Sequence, residues 1–202
     1  MNILYMRIVK SYFIICFFLN TNYLIAQENL LKTQANYDIG LLYGRGSQVG
    51  VNVNYNYQVD FFLLQYSRFL KRQKDFEFKL LIQPQYNKTR LKESIESCFQ
   101  KGYEFGVNYG LLIRKKIIRN FLFGYSCLSL GPHFVSITPE RQSNGFIFSD
   151  NLFMGFQIKV ITNTYLDIRI GFRHISNASI KKPNGGINNS FVSIGFINLK
   201  ER

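Results

Sequence analysis

The sequence predicts an all-β fold, an eight-stranded antiparallel transmembrane β-barrel, and three observations support that prediction. The chain begins with an export signal. Behind the signal, apolar and polar residues alternate with period two in eight segments. The connections between these segments alternate between short and long, as the turns and loops of outer-membrane barrels do. The predicted location is therefore the cell outer membrane.

The N-terminal segment has the layout of a secretory signal peptide. Arg7 and Lys10 stand in a stretch without acids, the apolar run SYFIICFFL follows, and Ala26 is a small residue at which cleavage can occur. A transmembrane anchor is the alternative interpretation, but a spanning helix needs about 20 apolar residues. We therefore predict a signal peptide over residues 1–26 and an outer-membrane barrel domain over residues 27–202.

The composition favours an anionic partner. The formal net charge is +13, and removal of the signal with its two basic residues leaves +11. Such an excess suits nucleic acid or a charged membrane surface, and export argues against nucleic acid. Cys98 and Cys127 remain in the exported chain, too few for a disulfide framework, and we expect free thiols. The sequence has no histidine–cysteine cluster of the kind that binds a metal.

Each alternating segment is long enough to cross a bilayer as a tilted strand, which takes about 9–11 residues. The segments also exceed the usual strand length of about 5–6 residues in globular proteins, which favours a membrane barrel over a soluble sandwich. In a barrel, the apolar face meets lipid and the polar face fills the lumen. The predicted strands are residues 36–46, 58–69, 75–87, 102–113, 119–131, 146–160, 164–175 and 188–199.

The connections predict how the barrel sits in the membrane. LKRQKD, RKKIIRN and ITNT are short, whereas GSQVGVNVNYN, NKTRLKESIESCFQKG, HFVSITPERQSNG and NASIKKPNGGIN are long. Short turns face the periplasm and long loops face outward in outer-membrane barrels. An even number of strands places both termini on the periplasmic side. We therefore expect residues 177–187 to form the last extracellular loop.

A histidine and a serine continue the lipid-facing row of the seventh predicted strand. Ile168, Ile170 and Phe172 occupy that row, and His174 and Ser176 extend it at its outer end. The two polar residues are one pleat apart, ~6–7 Å between Cα atoms. This spacing suits the nucleophile and base of a serine hydrolase. The alternative is a polar pair at a strand end that water satisfies.

The stretch that follows these two residues carries a family resemblance. HISNASIKKPNGGIN resembles the signature of PagL-type lipid A 3-O-deacylases, outer-membrane enzymes grouped with the acyloxyacyl hydrolases. The matching elements are His174, Ser176-Asn177-Ala178, Pro183-Asn184 and Gly186-Ile187. Beyond this motif the resemblance is one of architecture. It implies an eight-stranded barrel whose active site, on the outer face, removes the ester-linked 3-hydroxyacyl chain at position 3 of lipid A.

The resemblance also implies roles for individual residues. Ser176 is the expected nucleophile, His174 the general base, and the Asn177 side chain and the backbone near Ser179 the oxyanion donors. The expected partner is lipid A of lipopolysaccharide in the outer leaflet, with no metal or organic cofactor, and a homodimer stays open. The candidate substrate-binding residues are Lys181, Lys182, Pro183 and Asn184. Further basic residues of the predicted outer loops, which either bind lipid A phosphates or only face water, are Lys88, Arg90 and Lys92.

The chain departs from the family pattern at two positions. The family acid of the catalytic triad falls at residue 188, where this chain has Asn188. Asparagine can orient an imidazole by accepting its N–H, but it supplies no negative charge. Ser179 stands where the family often has glycine. The remaining acids offer no replacement, since two are expected to face the lumen and two to lie near another loop: Glu104, Asp167, Glu140 and Asp150.

The predicted function is an outer-membrane ester hydrolase that removes an acyl chain from lipid A by a Ser/His mechanism. The main alternative is a non-enzymatic small barrel that binds lipopolysaccharide or stabilises the envelope. A second alternative is an esterase of the same fold that acts on other acyl lipids.

Overall fold

Eight antiparallel strands close into a barrel. The computed structural model describes residues 37–50, 53–94 and 98–200, so the predicted signal peptide lies outside the described residues. Each strand pairs with its neighbours in sequence, and pairing of the first with the last closes the ring. The strands are β1 Tyr37–Gln48, β2 Tyr55–Gln73, β3 Phe76–Glu93, β4 Gln100–Ile118, β5 Leu122–Val135, β6 Gly145–Ile161, β7 Thr164–Ser176 and β8 Ile187–Lys200. The predicted fold class is confirmed.

The two ends of the barrel differ in the length of their connections. At one end, Lys74, Asn120 and Asn163 adopt left-handed backbone conformations with φ of 55°, 55° and 62°, which lets the chain reverse in tight turns. At the other end lie longer connections, and two of them, over residues 136–144 and 177–186, are described in full. The alternation of short and long connections therefore agrees with the sequence. No helix in the described part of the chain is long and apolar enough to cross a membrane.

The loop between β3 and β4 is shorter than the sequence suggested. β3 runs six residues further than predicted, to Glu93, and β4 begins two residues earlier than predicted, at Gln100. Lys88, Arg90 and Lys92 consequently stand on β3 and not in an outer loop, which corrects the prediction for these three side chains.

Strand parity decides which way each side chain points. On β7, Asp167, Arg169 and Arg173 are buried in the lumen. The alternate positions, Ile170 and Phe172 among them, are 56% and 44% exposed on the outer wall, where lipid would cover them. His174 and Ser176 share the parity of this outer row, as the sequence predicted.

Side chains fill the barrel lumen. It holds buried ion pairs, including Lys79 with Asp38 at 2.5 Å and Arg169 with Asp167 at 2.8 Å. The sequence predicts polar side chains in the lumen, and the structure adds apolar side chains toward both of its ends. Those at the long-loop end include Tyr57, Val59, Leu91, Val135, Ile147, Ile175 and Ile187, and those at the turn end include Phe123, Tyr165, Ile197 and Leu199.

The orientation in the membrane can be tested with the chain's own cysteines. Cys98 is exposed in the long-loop end and Cys127 is buried in the barrel wall. We expect a polyethylene glycol maleimide, too large to cross the outer membrane, to label Cys98 on intact cells. In a Cys98→Ser background, Arg119→Cys in a short turn should react only after the membrane is permeabilised. Labelling of Arg119→Cys alone on intact cells would contradict this orientation.

Candidate active site

Three polar side chains form a row across β6, β7 and β8 on the outer wall. His174 on β7 lies in register with Asp150 on β6 and with Asn188 on β8. Asp150 and Asn188 are exposed and His174 is half-buried. Ser176 stands one pleat nearer the last loop on the same face, in register with Phe148 of β6. The structure thus brings His174, Ser176 and Asn188 together, as the sequence suggested.

Asn188 holds the imidazole of His174 in a defined orientation. The His174 Nδ1 and Asn188 Oδ1 atoms are 2.7 Å apart. Because an amide oxygen only accepts hydrogen bonds, Nδ1 carries the proton and donates it. The Nε2 lone pair is then left to act as a base. Asn188 thereby supplies the orientation that a triad acid gives its histidine, without the charge.

Gly186 provides the space in which the imidazole stands. Its φ of +66° lies in the left-handed region, and a Cβ at this position would come within 2.5 Å of His174 Cε1. Any other residue would therefore be strained and would push the ring aside. The close approach of the His174 imidazole thus explains why the sequence motif has glycine at residue 186.

Ser176 and His174 make no hydrogen bond to each other within the residues that the structure describes. Their Cα atoms are one pleat apart, ~6–7 Å, on a single strand face. Catalytic hydrogen bonds of this kind are often long without substrate and tighten when it binds.

The last loop, residues 177–186, is held by the neighbouring loop over residues 136–144. Ser143 N donates to Pro183 O at 2.9 Å, and Gly185 N donates to Arg141 O at 2.7 Å. Gly186 N donates to Gln142 Oε1 at 2.9 Å. The sequence assigned no residue of the loop over residues 136–144 to the site. This loop lies beside the last loop because β6, which follows it, pairs with β7.

Asn177 fastens the last loop from within. Its side chain is only 1% exposed, and Nδ2 donates to Ser143 Oγ and to Lys181 O, both at 2.6 Å. Its backbone N–H donates to Asn184 Oδ1 at 2.9 Å. Both side-chain hydrogens of Asn177 are therefore engaged within the protein, and its amide serves here to shape the loop.

The backbone after Asn177 is better placed to offer free donors. Ala178 and Ser179 have φ of 51° and 64°, the left-handed region that glycine enters without strain. Ser179 therefore occupies a backbone conformation that would suit glycine better. In the described part of the chain, the backbone N–H groups of both residues lack a hydrogen-bond partner. They remain candidates for binding an oxyanion.

The predicted substrate-binding residues divide into two groups. Lys181, Lys182 and Pro183 are exposed in the last loop, close in sequence to Ser176. Asn184 is half-buried and its amide bonds Asn177 N and Ser179 Oγ, so it braces the loop.

The basic residues of β3 lie on the far wall of the barrel. β3 is four strands from β7 whichever way the ring is followed. Lys88, Arg90 and Lys92 therefore lie on the side of the barrel opposite Ser176, and Arg90 is paired with Asp60 at 2.9 Å.

Asp150 is the residue of the outer row that the sequence did not assign to the site. We expected it near a different loop, but the β6–β7 register places it directly across from His174. That expectation was wrong. The sequence did contain a signal for this position. Asp150 is two residues before Leu152, so it belongs to the outward-facing row of β6.

A shallow groove on the outer wall begins next to the polar row. It measures about 510 Å³. Phe172, one pleat from His174, forms part of its wall. The other outward-facing residues that line it are Arg45, Ser47, Leu152, Met154, Ile170, Ser190 and Val192. A larger groove of about 770 Å³ lies mainly on the wall of β1 to β4, away from His174.

The sequence matches the family model described as lipid A 3-O-deacylase (PagL) over residues 49–196. The chain belongs to this family. Membership confirms the predicted resemblance and shows lipid A deacylation as the activity of the group. No curated protein sequence matches this one. Among the described residues, no group of three or more His, Cys, Asp or Glu side chains is arranged to hold a metal ion.

Solved structures similar to this chain include outer-membrane proteins, whose likeness bears on the fold, and membership of the lipid A 3-O-deacylase family confirms the predicted outer-membrane location. The outer membrane enzyme PagL has 12% identity and a TM-score of 0.57, with 78% of this chain and 97% of PagL covered. The outer membrane protein OprG from Pseudomonas aeruginosa has 11% identity and a TM-score of 0.45, with 83% and 96% covered. Neisserial surface protein A has 14% identity and a TM-score of 0.44, with 82% and 97% covered.

The bracing role of Asn177 can be measured by proteolysis of the purified barrel. Asn177→Ala removes two hydrogen bonds from a buried site, at a cost of about 1–2 kcal/mol. We expect trypsin to cut after Lys181 about tenfold faster, because the loop opens more often. Asn198→Ala, at an exposed asparagine of the turn end that bonds Thr164 Oγ1, is the matched control. Equal cutting rates in both variants would exclude a bracing role.

Proposed function

We propose that this chain is a serine-type hydrolase of the outer membrane that removes an ester-linked 3-hydroxyacyl chain from lipid A. The observation that carries this proposal is the His174–Asn188 hydrogen bond of 2.7 Å on the outer wall. It leaves Nε2 as a base on the face that also carries Ser176. Family membership supplies the substrate class, and the outer-wall position suits a substrate that dwells in the outer leaflet.

The first half of the reaction transfers the acyl chain to Ser176. The Ser176 Oγ attacks the ester carbonyl while His174 Nε2 takes its proton, and a tetrahedral oxyanion forms. The oxyanion collapses when the C–O bond to the sugar breaks. The imidazolium gives its proton to the leaving sugar oxygen. Throughout this half-reaction, Asn188 Oδ1 keeps Nδ1 protonated and the ring in place.

The second half releases the acyl chain as a fatty acid. A water molecule attacks the acyl-serine carbonyl while His174 Nε2 accepts its proton. The second tetrahedral intermediate breaks at the Ser176 Oγ, which regains a proton from the imidazolium. The backbone N–H groups of Ala178 and Ser179 are the proposed oxyanion donors, because the Asn177 amide is engaged in the loop.

The shape and charge around the row suit an amphipathic lipid. The apolar groove below Phe172 can receive an acyl chain, so that its ester bond lies near Ser176. Lys181 and Lys182 are exposed in the adjoining loop and can pair with lipid A phosphates. The substrate then arrives sideways through the leaflet, and no passage through the filled lumen is needed. The proposed steps use side chains, backbone N–H groups and water.

Incubation of the purified barrel with lipopolysaccharide in detergent tests the activity. We expect mass spectrometry to show the loss of one 3-hydroxyacyl chain from lipid A. Ser176→Ala and His174→Ala should each lower the rate by roughly three orders of magnitude or more, because the nucleophile or its base is missing. Both residues lie at a strand end, so heat-modifiable migration on gels should stay that of a folded barrel. Full activity in Ser176→Ala would refute the serine mechanism.

The role of Asn188 can be tested by two opposite substitutions. Asn188→Ala removes the acceptor that orients His174 and should lower kcat by about tenfold or more, with KM little changed. Asn188→Glu gives the ring a charged acceptor and should match or exceed the wild type at neutral and alkaline pH. The added charge favours the imidazolium, so the acid limb of kcat/KM should move to higher pH. Three superimposable pH profiles would remove Asn188 from the site.

A further inference from the structure

We infer that Asp150 supplies to His174 the negative charge that Asn188 cannot provide. Asp150 is thus a positioning residue, which acts on the reaction through the imidazole and does not touch the substrate. The inference rests on the proposed serine mechanism. It assigns to two residues, one on each side of His174, the tasks that a single acid performs in a conventional triad.

The strand register puts the carboxylate beside the ring. Asp150 on β6 is the direct partner of His174 on β7, and both point to the outer wall. Directly opposed residues of an antiparallel pair have Cβ atoms about 4.5–5.5 Å apart, which leaves their side chains in mutual reach. Asn188 occupies the equivalent position on the other side of His174. His174 therefore has the hydrogen-bonded amide of Asn188 on one side and Asp150 as its strand partner on the other, with no direct hydrogen bond or ion pair between Asp150 and the ring.

The other surroundings of Asp150 are apolar. Leu130 of β5 is its partner on the far side, and Leu152 is the next outward residue along β6. Both leucines are more than half exposed on the wall that faces lipid. A carboxylate in such a wall is costly unless a partner offsets its charge.

Asp150 has no ion pair or hydrogen bond within the described residues, so no other group accounts for the acid at this point. The remaining charged groups of the two loops that adjoin His174 are one acid, Glu140, and three cations, Arg141, Lys181 and Lys182. From β8, the row presents only the neutral Asn188 and Ser190. Arg173 neighbours His174 along the chain but points into the lumen, where it pairs with Glu104.

The charge matters at one stage of the reaction. When His174 Nε2 takes the proton from Ser176, the ring becomes a cation at a boundary of low dielectric constant. The Asp150 carboxylate stabilises that cation, and with it the transition state that leads to it. Asn188 determines that Nδ1 carries the proton of the neutral ring. Asp150 lowers the free energy of the imidazolium that forms when Nε2 accepts a second proton.

Deacylation kinetics of five purified proteins test this division of labour. The panel is the wild type, Ser176→Ala, Asp150→Asn, the double variant Asp150→Asn/Asn188→Glu, and Asp75→Asn, whose lost charge lies in the exposed turn between β2 and β3. kcat and KM are measured across pH, and heat-modifiable migration identifies the folded barrels.

We expect Asp150→Asn to lower kcat by about tenfold or more while KM stays near that of the wild type. Without the carboxylate the imidazolium is less favoured, so the acid limb of kcat/KM should move to lower pH. The double variant should recover most of kcat and return the acid limb toward higher pH, because its new carboxylate on β8 would stand on the other side of the same ring. If the role of Asp150 were purely structural, the acid limb of kcat/KM would not shift in Asp150→Asn, and the double variant would not recover kcat. Asp75→Asn should match the wild type.

Two results would overturn the inference. If Ser176→Ala is inactive but Asp150→Asn has the wild-type kcat and pH profile, Asp150 has no role and the serine mechanism stands. If Asp150→Asn is impaired but the double variant shows no recovery, charge at His174 is not what Asp150 provides. Full activity of Ser176→Ala would instead remove the proposed function together with this inference.

Discussion

A strand in a closed barrel allows each side chain only two directions, and this constraint determines the whole site. Parity along β7 sends Arg169 and Arg173 into a filled lumen and sends Ile170 and Phe172 to the lipid. His174 and Ser176 share the lipid-facing parity, so their chemistry belongs to the outer wall. A substrate in the leaflet can meet them there, whereas the lumen is filled with buried side chains and offers it no entry.

Polar groups on a lipid-facing wall are costly unless they are satisfied, and the protein satisfies the His174 imidazole with its own neighbours. Asn188 bonds the imidazole from β8, and Gly186 leaves the ring its space. The loop over residues 136–144 then fixes the last loop through Ser143, Gln142 and Arg141. The polar row on β6, β7 and β8 lies where these strands end and the two loops meet. The strands therefore hold the His174 imidazole rigidly, and the backbone of the last loop carries N–H groups close to Ser176.

Much of the fold was readable from the sequence, because period-two alternation is a local signal. All eight strands, the closed barrel and the outward direction of His174 and Ser176 followed from it, and the structure confirms them. The motif residue Gly186 also has a physical reason that its sequence context suggested only by resemblance.

The remaining features depend on contacts between strands, which alternation does not report. The register of β6 against β7 is one such feature. The sequence suggested that Asp150 lies near a different loop, whereas the register places it beside His174. The hydrogen bonds that engage the Asn177 amide are another, since Ser143 is far away in the chain. The extension of β3 past Lys88 and Arg90 shows the same limit, because a basic, polar stretch reads as a loop until its pairing with β4 is known.

The central claim, that an activated serine stands on the lipid-facing wall, is tested most directly by trapping that serine. The purified barrel is treated with a long-chain alkyl fluorophosphonate, which reacts with activated serines and places its alkyl chain in the groove below Phe172. Peptide mass spectrometry should find the adduct on Ser176 in the wild type and only trace labelling in His174→Ala. An adduct on another serine, or deacylation that continues at full rate with Ser176 unmodified, would contradict the account.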